Sequence, residues 1–185
     1  MSQEDATNKV LEFLGKELLI HEKDLKSCGL PEPVQMTAMK IDAVLINNQL
    51  KYNKEKEKEK VLQIMKMMTT EQINFFRDVL EAINSNSKQV MFFVDAPGGT
   101  GKTFVMSAIM SAVRSDGFIA LATALSASAA KHLPGGTTLH SCMKVPINIQ
   151  EDSLCSFTKN SATAKLLQDK RTKLLVIDEV SMGGR

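Results

Sequence analysis

The chain has 185 residues, which is enough for one α/β domain of ordinary size or for one domain with a helical extension. Its net charge of +2 is too small to indicate a nucleic-acid or membrane partner by charge alone. Three isolated cysteines, with no secretory signal and no membrane-spanning apolar run, predict a soluble intracellular protein with free thiols.

The first part of the chain has a helical pattern. Apolar residues recur at three- and four-residue steps over residues 4–22 and again over about residues 34–50. Gly29, Pro31 and Pro33 separate these two segments, because a helix does not continue through proline. The sequence therefore predicts two helices joined by a break.

Two further helices are predicted before the pattern changes. The lysine–glutamate run at residues 51–60 alternates its charges, so stabilising and destabilising pairs roughly cancel. We interpret it as a solvated helical face, with a basic patch for DNA as the alternative. Thr69 or Thr70 is the expected N-cap of the next helix. The predicted domains are a helical N-terminal extension at residues 1–66 and a second domain at residues 67–185.

From Gln89 onward the sequence alternates between strand and helix patterns. The apolar run QVMFFVD at residues 89–95 is typical of a strand buried on both faces. The elements predicted after it are a helix at 102–115, a strand at 118–123, helices at 126–133 and 162–168, and a strand at 173–179. This order predicts an α/β fold with a parallel sheet, whose ligands bind at the carboxyl ends of the strands.

The stretch DAPGGTGKT at residues 95–103 has the spacing of a phosphate-binding loop, G-x-x-x-x-G-K-[ST], with one departure. Ala96 stands where the first glycine is usual. Pro97 follows, and a residue before proline is held in the extended region at negative φ, where alanine is allowed. We therefore expect the loop to tolerate Ala96.

The rest of the loop carries the groups that bind phosphate. Gly98, Gly99 and Gly101 let the backbone N–H groups turn inward around an anion. Lys102 supplies a charge for the β- and γ-phosphates, and Thr103 offers a hydroxyl to Mg²⁺. The predicted ATP-binding residues of the loop are Pro97, Gly98, Gly99, Thr100, Gly101, Lys102 and Thr103.

The stretch LLVIDE ends in two acids that complete the predicted ATP site. Asp178, at the tip of a strand, is the expected Mg²⁺ partner with Thr103, and Glu179 can orient the attacking water. A solvated strand end is the alternative for the two acids. The predicted catalytic residues are Lys102, Asp178 and Glu179, and Mg²⁺ with ATP is the predicted cofactor.

The middle stretch, residues 122–141, is less informative by itself. Its alanines and serines predict a tightly packed helix followed by a turn, and close packing and ligand binding remain equally open. A lone histidine such as His140 is more often structural than functional.

Several stretches together resemble one family. FFVDAPGGTGKTF, IALATALSASAAKHLPGGTTLHS and LLVIDEVSM are similar, in order and spacing, to the petite-integration-frequency DNA helicases, particularly those of Helitron transposons. The resemblance implies a P-loop NTPase fold of the RecA-like type, incomplete here and preceded by the helical extension. It also implies ATP hydrolysis coupled to 5′–3′ movement on single-stranded DNA, in processes such as DNA repair, recombination and telomere maintenance.

The resemblance also implies roles for individual residues. Gln72 matches the glutamine that reads the adenine, and the loop and acidic residues match the ATP and Mg²⁺ groups already named. The residues that match the path of single-stranded DNA are Thr123, Ser126, Ser128, Thr138, His140 and Ser141. The stretch Ser126–Ala127–Ser128 departs from the glycine-containing turn that is common there. The implied compartment is the nucleus, with the mitochondrion as alternative.

The end of the sequence leads to a further expectation. Arg185 closely follows the acidic strand, so the second RecA-like domain and its arginine finger are expected to be missing from this chain. A fragment of this kind should bind ATP–Mg²⁺ weakly and hydrolyse it poorly. Two alternatives remain: a nucleotide or small-molecule kinase, against which the scarcity of arginine after residue 104 argues, and an inactive nucleotide-binding relic.

Overall fold

Eight α-helices and three strands make up the part of the chain that the computed structural model describes, which is residues 3–20, 23, 25–32, 41–85, 90–145, 155, 158–159 and 161–179. The helices are α1 (Gln3–Ile20), α2 (Ile41–Gln49), α3 (Lys54–Met65), α4 (Thr70–Asn84), α5 (Lys102–Ser115), α6 (Ala127–His132), α7 (Leu139–Met143) and α8 (Ala162–Gln168). The strands are β1 (Ile119–Ala124), β2 (Thr137–Thr138) and β3 (Thr172–Asp178), and a short 3₁₀ helix (Lys26–Cys28) precedes α2.

The three strands form one parallel sheet in the order β2-β1-β3. Every residue of the central strand β1 is buried, because the sheet continues on both of its edges and helices cover its faces. The register pairs Ala124 with Thr138 on one side and with Asp178 on the other. The predicted α/β fold, with a parallel sheet flanked by helices and a helical N-terminus, is confirmed.

The strand predicted at residues 89–95 is wrong for the residues that the structure describes. Residues 90–96 have no regular secondary structure, and the side chains of Met91 and Phe93 are 93% and 82% exposed. A strand needs a neighbour for its N–H and C=O groups, and no described strand pairs with this segment. The third strand of the sheet is instead β2, which lies in the stretch that the sequence predicted as a turn.

The helical predictions for the N-terminal part hold where residues are described. α2 lies inside its predicted segment, and α1 begins one residue before the predicted start at residue 4; residues 33–40 lie outside the described part. α3 begins after Asn53, whose side chain accepts from the Lys56 N–H at 2.9 Å, and its first turns are mostly exposed, as expected of a solvated face. Thr69 is the N-cap of α4. None of the described helices is long and apolar enough to cross a membrane.

The core is continuous across the predicted domain boundary at residue 66. Ile64 from α3 and Met68 pack in one cluster with apolar side chains of α4 and α5: Phe76, Val79, Val105, Ala108, Ile109 and Ala112. A second cluster joins α5 to the sheet through Met110, Val113, Ala120, Ala122, Leu133 and Val176. α5 therefore lies between α3 and the sheet, and the division at residue 66 stays a prediction.

A buried arginine adds a polar connection between these layers. Arg114 of α5 is 2% exposed, and its guanidinium donates to the carbonyls of Pro134 at 2.9 Å and Ala120 at 2.8 Å. The guanidinium also lies 3.9 Å from the ring centroid of Tyr52, which precedes α3. Burial lowers the pKa of Arg114, and the nearby Tyr52 and Glu57 act in the opposite direction. Arg114 thus attaches the residues before α3 to the turn that leads into β2.

Replacing Arg114 with methionine should lower the free energy of unfolding by about 2–4 kcal/mol, because two interior carbonyls lose their donor and the contact with Tyr52 is lost. Urea unfolding measures the change. The matched control is Arg77→Met on the exposed side of α4, for which we expect a change within about 0.5 kcal/mol. Equal effects of the two substitutions would show that the buried contacts do not stabilise the fold.

Candidate functional site

The phosphate-loop residues form a tight turn in front of α5. Gly99 and Gly101 have positive φ values of 78° and 85°, in the region that favours glycine. The Thr100 hydroxyl donates to the Pro97 carbonyl at 2.9 Å and closes the turn. α5 begins at Lys102, directly after Gly101, so its free N–H groups face the loop as the sequence predicts.

Lys102 folds back over the loop. Its ammonium donates to the carbonyls of Ala96 at 2.5 Å and Pro97 at 2.9 Å. The described residues with positive φ other than glycine are Lys144 and Glu179, so Ala96 has the negative φ that the sequence predicts. The backbone of the loop therefore accommodates alanine at this position without strain.

Gln72 connects α4 to the loop. Its side-chain oxygen accepts from the Thr69 N–H at 3.0 Å, while the Thr69 hydroxyl accepts from the Gln72 N–H at 3.3 Å, which is a reciprocal capping box. The side-chain nitrogen of Gln72 donates to the Thr100 carbonyl at 3.0 Å. Sequence reasoning assigned Gln72 to adenine and missed this second function, although the Thr-x-x-Gln spacing signals it.

The two predicted Mg²⁺ residues are in contact. The Thr103 hydroxyl donates to Asp178 Oδ2 at 3.3 Å, and Asp178 is 9% exposed at the end of β3. A hydroxyl and a carboxylate are hard oxygen donors, and Mg²⁺ commonly takes one or two protein oxygens with phosphates and water completing its shell. Among the described residues no group of three or more acidic, histidine or cysteine side chains is placed to hold a metal. The pair therefore fits Mg²⁺ that arrives with a nucleotide.

Glu179 follows directly and lies exposed beside β1. Its N–H donates to Asp178 Oδ1 at 2.9 Å, and its φ of 58° is unusual for a residue with a β-carbon. Its carboxylate accepts from the Ser126 hydroxyl at 2.8 Å. The structure thus brings a residue of the predicted DNA path into contact with a predicted catalytic residue, which no local sequence pattern indicates.

Apart from Thr123, the other residues of the predicted DNA path lie at or just after the carboxyl ends of β1 and β2. Ser128 is exposed on α6. Thr138 caps α7 and accepts from the Ser141 N–H at 3.2 Å, and His140 is half-buried in the same helix. These residues therefore share the sheet edge at which β3 presents its two acids.

Residues 67–185 match the family model of the PIF1-like helicases. The chain belongs to the PIF1-like helicase family. Comparison with curated proteins finds no significant match. Membership of this family indicates that the function is of the ATP-hydrolysing helicase class. It also implies ATP and nucleic acid as ligands. The matched region includes the loop, both acids and every residue of the predicted DNA path.

Thr123 differs from the rest of the predicted DNA path in this PIF1-like helicase. Its side chain is 0% exposed in the middle of the sheet, and its hydroxyl donates to the Val176 carbonyl at 2.8 Å. A buried hydroxyl with a buried partner has no surface for DNA. Thr123 therefore joins β1 to β3, which corrects its assignment from the resemblance, while the roles of the remaining residues stay predictions.

Gly101→Ala should destabilise the protein by about 1–3 kcal/mol, measured by urea unfolding without nucleotide. The residue has a φ of 85°, and an added Cβ would lie 2.8 Å from the Gln72 side-chain nitrogen. Gly98→Ala is the matched control, because an added Cβ there meets nothing within 4 Å, and we expect a change within about 0.5 kcal/mol. A neutral Gly101→Ala would contradict the described loop geometry.

Proposed function

We propose that this chain binds ATP with Mg²⁺ at residues 96–103 and hydrolyses it to drive movement along single-stranded DNA. The observation that carries the proposal is the contact of 3.3 Å between Thr103 and Asp178. These residues are 75 positions apart in the chain, and their contact joins the phosphate loop to the acidic strand at one point. Membership of the PIF1-like family supports the helicase class.

Each residue of the site has a distinct part in the proposed hydrolysis. Lys102 turns from the carbonyls that now hold it to the β- and γ-phosphates, where its charge offsets the charge of the transition state. Thr103 and Asp178 would hold Mg²⁺, which would offset the negative charge of the phosphates. Glu179, next to Asp178, would orient the attacking water.

The proposed DNA surface lies at the same sheet edge. Ser126, Ser128, Thr138, His140 and Ser141 offer hydroxyl and imidazole groups that suit phosphate and sugar. Contacts of that kind position a strand without reading its sequence. The 5′–3′ polarity, the Helitron-type subgroup, the nuclear or mitochondrial compartment and the roles in repair, recombination and telomere maintenance remain proposals that rest on the resemblance.

We further propose that fast hydrolysis needs a second RecA-like domain that supplies an arginine to the γ-phosphate. Arg114 is buried and bonded to two carbonyls, and Arg171 is paired with Asp169 at 2.8 Å. Neither of these two is free for this task; Arg77 is exposed on α4, and Arg185 lies outside the described residues. An arginine finger contributes about a thousandfold or more in related enzymes, so we expect the chain alone to bind ATP–Mg²⁺ and turn it over slowly.

Lys102→Ala should weaken ATP–Mg²⁺ binding at least about tenfold, because the loop loses the charge that meets the phosphates. Isothermal titration calorimetry measures the affinity. Lys58→Ala removes an equal charge from the exposed face of α3 and should bind like the wild type.

The possible outcomes of this titration separate the alternatives. Wild-type affinity in Lys102→Ala would refute the loop as the binding site, and no binding by the wild type would favour the inactive relic. ATP turnover stimulated by a small hydroxyl compound, and not by single-stranded DNA, would favour a kinase.

Ala96→Gly should change nucleotide affinity by less than about threefold, since the backbone at residue 96 already has negative φ. The same calorimetric titration checks it. A large gain in affinity would show that the alanine methyl group crowds the phosphates.

A further inference from the structure

Two side chains with different proposed roles meet where β1 and β3 end. The two strands run parallel with Ala124 opposite Asp178, and the Leu125 N–H donates to the Asp178 carbonyl at 3.3 Å. Ser126 and Glu179, the residues that follow, therefore leave the sheet side by side. Glu179 is exposed and Ser126 is half-buried, so a large ligand can reach both.

The Ser126 hydroxyl can donate one hydrogen bond, and Glu179 accepts it. The oxygen donates to Glu179 Oε2 at 2.8 Å and accepts from the Ala129 N–H at 3.1 Å. A serine hydroxyl has a single donor, and an ionised phosphate oxygen only accepts. A phosphate can therefore accept a hydrogen bond from this hydroxyl only when Glu179 no longer accepts it, so the two contacts exclude each other.

Glu179 has a backbone conformation that needs support. Its φ of 58° lies in the left-handed region, which is unfavourable for a side chain with a β-carbon. Two side-chain contacts hold it there: Asp178 Oδ1 accepts its N–H at 2.9 Å, and Ser126 donates to its carboxylate. When the Ser126 contact is lost, the carboxylate is free to turn.

Asp178 extends this set of contacts to the phosphate loop. While one of its oxygens accepts from the Glu179 N–H, the other accepts from the Thr103 hydroxyl at 3.3 Å. A continuous series of hydrogen bonds therefore runs from Ser126 through Glu179 and Asp178 to Thr103. A change at Ser126 has a direct physical route to the residues of the ATP site.

We propose that Ser126 is a positioning residue that restrains Glu179 until single-stranded DNA binds at α6. The inference rests on the proposed function, because it takes single-stranded DNA as the ligand and Glu179 as the group that orients water. A DNA phosphate that accepts the hydrogen bond from Ser126 releases Glu179. The freed carboxylate then orients the attacking water. By linkage, the contact with Glu179 weakens DNA binding by the same factor as DNA weakens the contact.

The first test measures DNA binding and does not depend on hydrolysis. Glu179→Ala removes the acceptor, so the Ser126 hydroxyl can donate to another group. Glu179→Gln removes the charge but keeps an acceptor oxygen. We expect Glu179→Ala to bind a labelled oligothymidylate about fivefold more tightly than Glu179→Gln, by fluorescence anisotropy at low salt. The glutamine variant thus controls for the general repulsion between a carboxylate and DNA.

Equal affinities of the two Glu179 variants would overturn the inference and leave the proposed function standing. No DNA binding by the wild type or by either variant would overturn the inference together with the DNA part of the proposed function. The two failures are therefore distinguishable.

The second test measures ATP turnover without DNA. Ser126→Asp keeps an oxygen that can cap α6 but cannot donate to Glu179, so we expect about fivefold faster turnover and no further stimulation by oligothymidylate. Ser126→Thr keeps a hydroxyl donor, so its turnover without DNA should lie closer to that of the wild type than to that of Ser126→Asp. Wild-type turnover and stimulation in Ser126→Asp would overturn the inference, and where turnover is too slow to measure, the binding comparison decides alone.

A second capping serine provides the control for helix stability. Ser161 caps α8 and accepts from the Ala164 N–H at 3.2 Å, as Ser126 accepts from Ala129, but Ser161 has no bond to Glu179. Ser161→Ala should leave the rate of ATP turnover unchanged. An equal rate increase in this variant would show that a change at a helix cap raises turnover without any contact to Glu179, and it would overturn the inference.

Discussion

The parallel pairing of β1 with β3 is the constraint on which the arrangement of the site depends. Because Ala124 lies opposite Asp178, the residues that follow both strands emerge at one edge of the sheet. α5 packs on this sheet, which brings Thr103 at its start within 3.3 Å of Asp178. A shift of this register would separate the loop from the acids and Ser126 from Glu179, although each local segment would keep its structure.

Polar contacts hold the loops around this sheet from two sides. Gln72 links the first turn of α4 to the Thr100 carbonyl, so the phosphate loop is attached to a helix that precedes it in the chain. Arg114 links α5 to the turn before β2 and contacts Tyr52. The bonds from Gln72 to Thr100 and from Arg114 to Pro134 both end on backbone carbonyls. Such bonds fix the position of a loop without requiring a particular side chain in it.

The resemblance and the residue patterns predicted the fold class, which is confirmed, and a candidate site whose residue roles stay predictions. The errors have specific physical causes. The apolar run at residues 89–95 has the composition of a buried strand, but Met91 and Phe93 are exposed, because no described strand pairs with them. Thr137 and Thr138, in a stretch predicted as a turn, pair with β1 instead. Thr123 matches the DNA path by position, yet its side chain points into the sheet.

The sequence by itself determined the features that arise within a few residues. The Thr69 cap, the glycine turn before Lys102 and the negative φ of Ala96 are local, because capping and backbone sterics act between neighbours. The tertiary structure alone decided which strands pair, that Thr123 is buried, and that Ser126 meets Glu179. These outcomes depend on contacts between segments that are far apart in the sequence. No single stretch of the chain specifies which distant segment it will contact.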